Sequence, residues 1–208
     1  MLEEVHLYIS SFTSPLDFKS LESLSVLSVV GTEITAFPSL PESIRVLSLD
    51  GNENIQWSMQ EIAASPLPNL ETLKVGWCQR IKNEHVLAIL APSLEKCSLR
   101  YLSLDACHSL DFHSIEWLVK HGKNLEKLVI RESRAITDEA LKEVMKFNML
   151  RYLDVTHCDI SPNGLMNVLN GSLGALREVA ISCCLGNDTD ATRLAVKSGV
   201  KITPRGYY

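Results

Sequence analysis

Residues 125–130 read LEKLVI, and the same spacing of apolar side chains returns in residues 150–155 (LRYLDV) and residues 70–75 (LETLKV). In each stretch the first, fourth and sixth residues are aliphatic. The pattern occurs eight times in the 208-residue chain, with first positions at residues 2, 24, 44, 70, 99, 125, 150 and 176. Repetition at intervals of 20 to 29 residues is typical of chains that stack one supersecondary unit on the next.

A second column of residues accompanies the aliphatic one. Three residues after the sixth position, each copy carries a small or polar residue: Ser10, Thr32, Asn52, Cys78, Cys107, Ser133, Cys158 and Cys184. In a leucine-rich repeat the side chain at this place turns inward where the strand ends and bonds to the backbone of the turn. The chain therefore resembles leucine-rich-repeat proteins over nearly all of its length.

The resemblance implies an α/β fold, namely a right-handed leucine-rich-repeat solenoid of about eight repeats with one curved parallel sheet on its concave face. The first returns are short and contain Pro38 and Pro41, which favour extended backbone. Later returns are longer, and we expect helices on the convex face only after about residue 55. The strands are expected near residues 25–29, 45–49, 71–75, 100–104, 126–130, 151–155 and 177–181. The helices are expected near residues 84–90, 114–120, 137–145 and 163–169, with Thr137 or Asp138 as one N-cap.

The pattern predicts a single leucine-rich-repeat domain over residues 1–208, closed by a C-terminal cap over about residues 188–208 that contains a helix and a strand. Leu2 already occupies the first position of a copy, with no capping element before it. Because terminal repeats usually need a polar cap, we expect the chain to be a fragment of a longer protein.

Three copies place Cys at the inward position ahead of a helix: GWCQRIKNEHVLAIL, DACHSLDFHSIEWL and THCDISPNGLMNVL. They resemble the cysteine-containing subclass of repeats found in F-box proteins, which hold substrates for a Skp1/cullin ubiquitin ligase. The resemblance implies a protein substrate on the concave face. It also implies contact with Skp1/cullin only through an N-terminal F-box, which these residues do not contain.

Two other interpretations of the function remain open. A recognition ectodomain or immune-receptor domain would suit the early Pro-containing copies and the glycosylation sequons at Asn170 and Asn187. The third interpretation is an inhibitor-type repeat protein similar to the ribonuclease inhibitors.

Composition and motifs disfavour several classes of function. A net charge of -5 without a Lys/Arg cluster disfavours nucleic acid, and no apolar run approaches the roughly 20 residues that cross a membrane. The N-terminus lacks the features of a signal peptide, so we expect an intracellular protein, cytoplasmic or nuclear. No catalytic, phosphate-binding or metal-ligand motif is present, which favours a binding module without enzymatic activity, metal or cofactor. We expect six free thiols, with Cys183 exposed.

Strand alternation identifies the candidate binding surface. It directs positions 3 and 5 of each copy to the open face of the sheet, with positions 7 and 8 at its edge. The large side chains there are of the types that anchor protein interfaces, and acidic neighbours favour a partner with Lys or Arg. The candidate partner-binding residues are Trp77, Tyr101, Asp105, Arg131, Tyr152, Asp154 and His157. Trp57 and Trp117 are expected to pack on the convex side.

Overall fold

The computed structural model of the chain describes residues 2–8, 15–170, 174–182 and 201–205. The chain divides into two compact units, Met1–Ser109 and Leu110–Tyr208. The prediction of a single domain over residues 1–208 stays a prediction.

The described residues of unit 1 (Met1–Ser109) form five strands and two helices. In chain order they are β1 (Glu4–Tyr8), β2 (Val26–Val30), β3 (Val46–Ser48), α1 (Met59–Ala63), β4 (Thr72–Lys74), α2 (Asn83–Glu95) and β5 (Tyr101–Ser103). Each strand pairs in parallel with the next, and equivalent positions of successive copies lie opposite each other: Leu27 faces Leu47, and Leu47 faces Leu73. The repeat of the sequence is therefore the repeat of the sheet.

Unit 2 (Leu110–Tyr208) continues the same alternation of strand and helix. Its described elements are α3 (Phe112–His121), β6 (Lys127–Val129), α4 (Asp138–Val144), β7 (Tyr152–Asp154), α5 (Pro162–Asn170), β8 (Glu178–Ser182) and β9 (Lys201–Arg205). The pairings β6 to β7, β7 to β8 and β8 to β9 are all parallel.

The predicted fold class is confirmed. Each predicted strand lies within about one residue of an observed one, and every described helix follows residue 55. Thr137 is the N-cap of α4, because its hydroxyl accepts the N–H of Ala140. The predicted closing strand is present as β9, whereas the predicted last helix over residues 188–197 lies outside the described residues.

The aliphatic positions form the core. In the second copy Leu24, Leu27 and Val29 are completely buried, and the equivalent residues of the later copies are buried as well. Burial of these side chains is what holds successive copies together, since one short strand cannot cover its own apolar side. The first copy differs, because Leu2 is 54% exposed.

The two tryptophans of the returns are half-buried beside other aromatic rings of the returns, and their place on a convex side stays a prediction. Trp57 is half-buried, with its ring 5.9 Å from that of Phe37 and 6.3 Å from that of His85. Trp117 contacts His121, whose ring centroid lies 4.5 Å away. Both are accounted for by packing among the return segments.

Candidate functional site

The candidate site is the face of the parallel strands in each unit that carries positions 3 and 5 of the copies, which we call the open face. In unit 1 the parallel register sets these positions in two rows across the strands. One row is Glu4, Val26, Val46, Thr72 and Tyr101, and the other is His6, Ser28, Ser48, Lys74 and Ser103. Side chains twenty or more residues apart in the chain thus become neighbours.

Trp77 stands at the edge of this face in unit 1, just after β4. It is 47% exposed and its φ is +59°, in the left-handed region. The equivalent residues of the two preceding copies are Gly31 (φ +62°) and Gly51 (φ +73°), which adopt this conformation without steric cost. For a residue with a side chain the cost is about 1 kcal/mol or more, so the indole of Trp77 is kept here against a penalty.

The left-handed conformation recurs at this position in the later copies. Ala106 has φ +51°, and in unit 2 Glu132 and His157 have φ +54° and +59°. The turn geometry requires this conformation, because the next residue must point its side chain inward. Glycine therefore fits this position best. A residue with a side chain there has a conformational cost that some other benefit must offset.

Two aspartates converge beside Trp77. The backbone N–H of Gly76 donates to Oδ1 of Asp50 at 2.7 Å, and the N–H of Trp77 donates to the carbonyl of Asp105 at 2.8 Å. A Cβ at Gly76 would lie 3.0 Å from Cβ of Asp105 and 3.3 Å from Oδ1 of Asp50. The missing side chain of Gly76 leaves the space in which both aspartates fit.

The electrostatics around Asp50 are those of a partly buried acid. Burial raises the pKa of Asp50 above its ordinary value of 3.8, and the negative charge of Asp105 acts in the same direction. The Gly76 N–H and the ammonium of Lys74 oppose the rise. Lys74 itself lies over the ring of Tyr101, with Nζ 5.5 Å from the centroid.

Unit 2 has a related arrangement around Tyr152. Nζ of Lys127 lies 4.8 Å from the ring centroid, and the hydroxyl of Tyr152 donates to Oδ2 of Asp154 at 3.3 Å. Asp154 also accepts the backbone N–H of Thr156 at 3.2 Å and the hydroxyl of Thr156. Its side chain therefore holds both the turn after β7 and the orientation of Tyr152.

The seven candidate residues are not equally accessible. Trp77 is exposed, while Tyr101, Arg131, Tyr152 and His157 are half-buried. Asp105 is only 6% exposed and Asp154 only 1%, so neither aspartate presents its carboxylate freely to solvent. Trp77, Tyr101 and Asp105 belong to unit 1, and the other four belong to unit 2.

The small or polar residues three places after the sixth position, which we call the inward column, form hydrogen bonds to the preceding copy, as their residue types suggested. Nδ2 of Asn52 donates to the carbonyl of Val29 (2.6 Å), and Sγ of Cys78 to that of Leu49 (3.2 Å). Two further thiol donors of this kind are Cys107 to Val75 (3.3 Å) and, in unit 2, Cys158 to Ile130 (3.0 Å). Each acceptor is the sixth position of the copy before.

The chemistry of these thiols is that of hydrogen-bond donors. Burial raises the pKa of Cys78 to about 12 and raises that of Cys107 as well. A protonated thiol is a poor nucleophile and metal ligand. Cys78, Cys97, Cys107 and Cys158 are free cysteines, whereas Cys183 and Cys184 lie outside the described residues.

Sequence reasoning missed two features. Asp50 occupies position 7 of its copy, yet its convergence on Gly76 requires the stacking of copies that lie 26 residues apart. Cys97 is the exposed cysteine of the described part of the chain, and it follows α2 at φ +54°. The left-handed backbone at position 8 of the later copies, by contrast, could have been predicted from Gly31 and Gly51 once the copies were aligned.

In the described part of the chain, neither a group of metal ligands nor a membrane-spanning helix accompanies the site. Within the ranges that the structure covers, no three His, Cys, Asp or Glu side chains are grouped so that they could hold a metal ion. Among the same residues, no helix combines the length and the apolar character that spanning a membrane demands.

Comparison with known proteins supports the repeat class. A family model for the leucine-rich repeat matches residues 148–169, which contain β7 and all of α5 except its last residue, one copy of the strand-and-helix unit. No curated protein matches the chain. The matched copy and the equivalent geometry of the others support a leucine-rich-repeat protein, a class whose stacked repeats serve as protein-interaction modules.

Proposed function

We propose that the open face binds a protein partner and that the chain performs no chemistry of its own. The contact residues in this proposal are Trp77, Tyr101 and Asp105 in unit 1, with Arg131, Tyr152, Asp154 and His157 in unit 2. The observation that carries it is Trp77, whose large apolar side chain is 47% exposed in a backbone conformation that favours glycine. Trp, Tyr and Arg are enriched among the few residues that supply most of the binding energy at protein interfaces.

The aspartates have a supporting role in this proposal. Because Asp105 and Asp154 are almost fully buried, they contribute to the electric field of the face and to its geometry more than to direct contact. Tyr152 illustrates the geometric part, since its hydroxyl donates to Asp154 and its ring lies under Lys127. A tyrosine held in one orientation loses little entropy when a partner binds.

The finer proposal is that the partner is a substrate of a Skp1/cullin ubiquitin ligase and that the chain supplies the substrate-recognition repeats of an F-box protein. Its support is the resemblance of the Cys-containing copies with helical returns to that subclass. The buried thiols of Cys78, Cys107 and Cys158 act as donors only while they are reduced, which favours a cytoplasmic or nuclear location. In this proposal the F-box is encoded outside residues 1–208.

The binding proposal is tested by capture followed by mutation. The chain is used to capture proteins from native extract, the main partner is identified by mass spectrometry, and its affinity is then measured with purified components. Tyr101→Ala with Arg131→Ala should weaken binding by roughly tenfold or more while the melting temperature changes by a few degrees at most. Glu116→Ala with Lys142→Ala, on α3 and α4, is the matched control. Full binding by the first pair and loss by the second would refute the open-face site.

The ligase proposal has its own test. The protein encoded by the complete reading frame should co-purify with Skp1, and deletion of the segment that precedes residue 1 should abolish this association. Association with Skp1 that persists in the 208-residue chain, or the absence of Skp1 from the complete protein, would refute the F-box assignment and leave the binding module intact.

A further inference from the structure

The negative charge of the chain is concentrated in unit 1. Residues 1–109 contain 7 Lys and Arg against 13 Asp and Glu, a net charge of -6. Residues 110–208 contain 13 Lys and Arg against 12 Asp and Glu, a net charge of +1. An electrostatic field of this size in one unit attracts partners of opposite charge and speeds their association.

The open face of unit 1 carries an aromatic anchor within this acidic unit. Trp77 is 47% exposed, and its backbone N–H is bonded to the carbonyl of Asp105. The carboxylate of Asp50 is held by the N–H of Gly76, the residue immediately before the tryptophan. The exposed tryptophan therefore directly follows, in the chain, the glycine whose N–H holds the half-buried Asp50 carboxylate.

Later copies hold other side chains in the left-handed conformation of Trp77, but Trp77 is the largest of these residues and is 47% exposed, which favours a role for its indole in binding. Gly31 and Gly51 occupy the same place in the two preceding copies, so glycine satisfies the turn at this position. A residue that costs stability in the free protein is expected to be useful elsewhere, most simply in binding.

One cation of the chain itself already faces this region. Nζ of Lys74 lies 5.5 Å from the ring centroid of Tyr101, and its charge acts to lower the pKa of Asp50, so this surface already places an ammonium group over an aromatic ring and near a carboxylate. The exposed face of Trp77 offers the same kind of contact to a partner, since Arg and Lys stack on indole more favourably than on other rings.

We propose that the open face of unit 1 docks a protein segment that presents a basic side chain, Arg or Lys, which stacks on Trp77 and pairs with Asp50. The proposal rests on the open-face binding proposed above and adds the chemistry of the partner. Arg suits the place best, because its planar guanidinium stacks on an aromatic ring while it donates to a carboxylate.

The test uses the full 208-residue chain, immobilised, and four pools of short peptides. Their flanking positions are randomised, and their central residue is fixed as Arg, Lys, norleucine or Glu. The Arg and Lys pools should be retained about fivefold more than the norleucine pool, which corresponds to about 1 kcal/mol, and the Glu pool should be retained least. Equal retention of the Arg and norleucine pools, or preference for Glu, would overturn the proposal.

Two variants assign the effect to this face. Asp50→Asn keeps the acceptor for the Gly76 N–H but removes the charge, so the preference for Arg and Lys should disappear while the fold persists. Trp77→Gly should lower retention of the basic pools severalfold without lowering the melting temperature, because glycine fits the left-handed turn. Unchanged preference in Asp50→Asn, or unchanged retention in Trp77→Gly, contradicts the proposal.

A matched control separates a local contact from general attraction to an acidic unit. Glu95 is an exposed acid at the end of α2, and Glu95→Gln changes the net charge by the same amount as Asp50→Asn. The control should retain the basic pools like the parent chain. An equal loss in both variants would refute a specific contact at Asp50.

The proposal and the function on which it rests fail in different ways. Suppose that Tyr101→Ala with Arg131→Ala abolishes binding of the captured partner while Asp50→Asn binds it normally and the Arg pool has no advantage. Open-face binding then stands and the basic-anchor proposal is wrong. If neither set of open-face variants changes partner binding, open-face binding itself is wrong.

Discussion

The side chain of Asn52 makes four hydrogen bonds, three of them to the preceding copy, and its replacement by Ala tests how the inward column stabilises the fold. Its side chain is completely buried. Nδ2 donates to the carbonyls of Val29 (2.6 Å) and Leu49 (2.8 Å), while Oδ1 accepts the backbone N–H (3.0 Å) and the hydroxyl (2.6 Å) of Thr32. Asn52→Ala removes all four.

The cost depends on which groups keep another partner. The carbonyl of Leu49 also accepts the thiol of Cys78, so it stays bonded in the variant. The carbonyl of Val29 and the N–H of Thr32 lose their bonds to Asn52 in a buried region. At about 1 to 3 kcal/mol for each buried polar group left without a partner, Asn52→Ala should lower the free energy of unfolding by about 2 to 6 kcal/mol.

Urea unfolding followed by circular dichroism measures this change, with two further variants for comparison. Asn54→Ala, at an exposed position two residues away, should change stability by less than about 0.5 kcal/mol. Asn52→Cys should cost about half as much as Asn52→Ala, because a thiol here can donate to Val29 as Cys78 donates to Leu49. A negligible effect of Asn52→Ala, or equal effects of Ala and Cys, would refute the role assigned to this column.

Three other outcomes follow from the structure. Gly164→Ala should lower the melting temperature markedly, because the added Cβ would overlap the carboxylate of Asp138, which accepts the N–H and the hydroxyl of Ser161. Asn167 is exposed on the same helix, and Asn167→Ala should leave the melting temperature unchanged. A thiol reagent should label Cys97 in the native chain and should label the buried thiols only after unfolding. The denatured chain should carry six labels whether or not reductant is added, and two fewer labels without reductant would indicate a disulfide. Burial lowers the pKa of His85 below its ordinary value of 6.5, so the folded chain binds fewer protons than the unfolded one just below that pH. The free energy of unfolding should therefore fall as the pH drops below about 6.5, and His85→Gln should flatten this slope; an unchanged slope would contradict the assignment.

The spacing of apolar residues was sufficient to predict the strands, their parallel order and the inward side chains. The reason is geometric, since residues at positions 4 and 6 of a strand share one face and a fixed repeat places equivalent residues opposite each other. The hydrogen bonds of Cys78 and Asn52 to the preceding copy were predictable in kind for the same reason, because each side chain meets an equivalent carbonyl.

The accessibility of the candidate site was not predictable from this pattern. Strand alternation put Asp105 and Asp154 on the open face, and only the folded chain determines that they are 6% and 1% exposed. Position on a face depends on a residue's own strand, whereas burial depends on the side chains that neighbouring copies place around it. Asp105, for example, packs against Gly76 of the preceding copy, where an added Cβ would lie 3.0 Å from Cβ of Asp105.

What the sequence by itself determined is therefore the periodic part of the molecule, in which every copy repeats the same strand, turn and inward residue. What only the tertiary structure decided is where the copies differ: the meeting of Asp50 with Gly76, the exposure of Trp77 and the exposure of Cys97. The physical reason is that a repeated pattern specifies the contacts that all copies share. Contacts between unlike side chains on adjacent copies depend on pairs of residues far apart in the chain, which come together only when the copies stack.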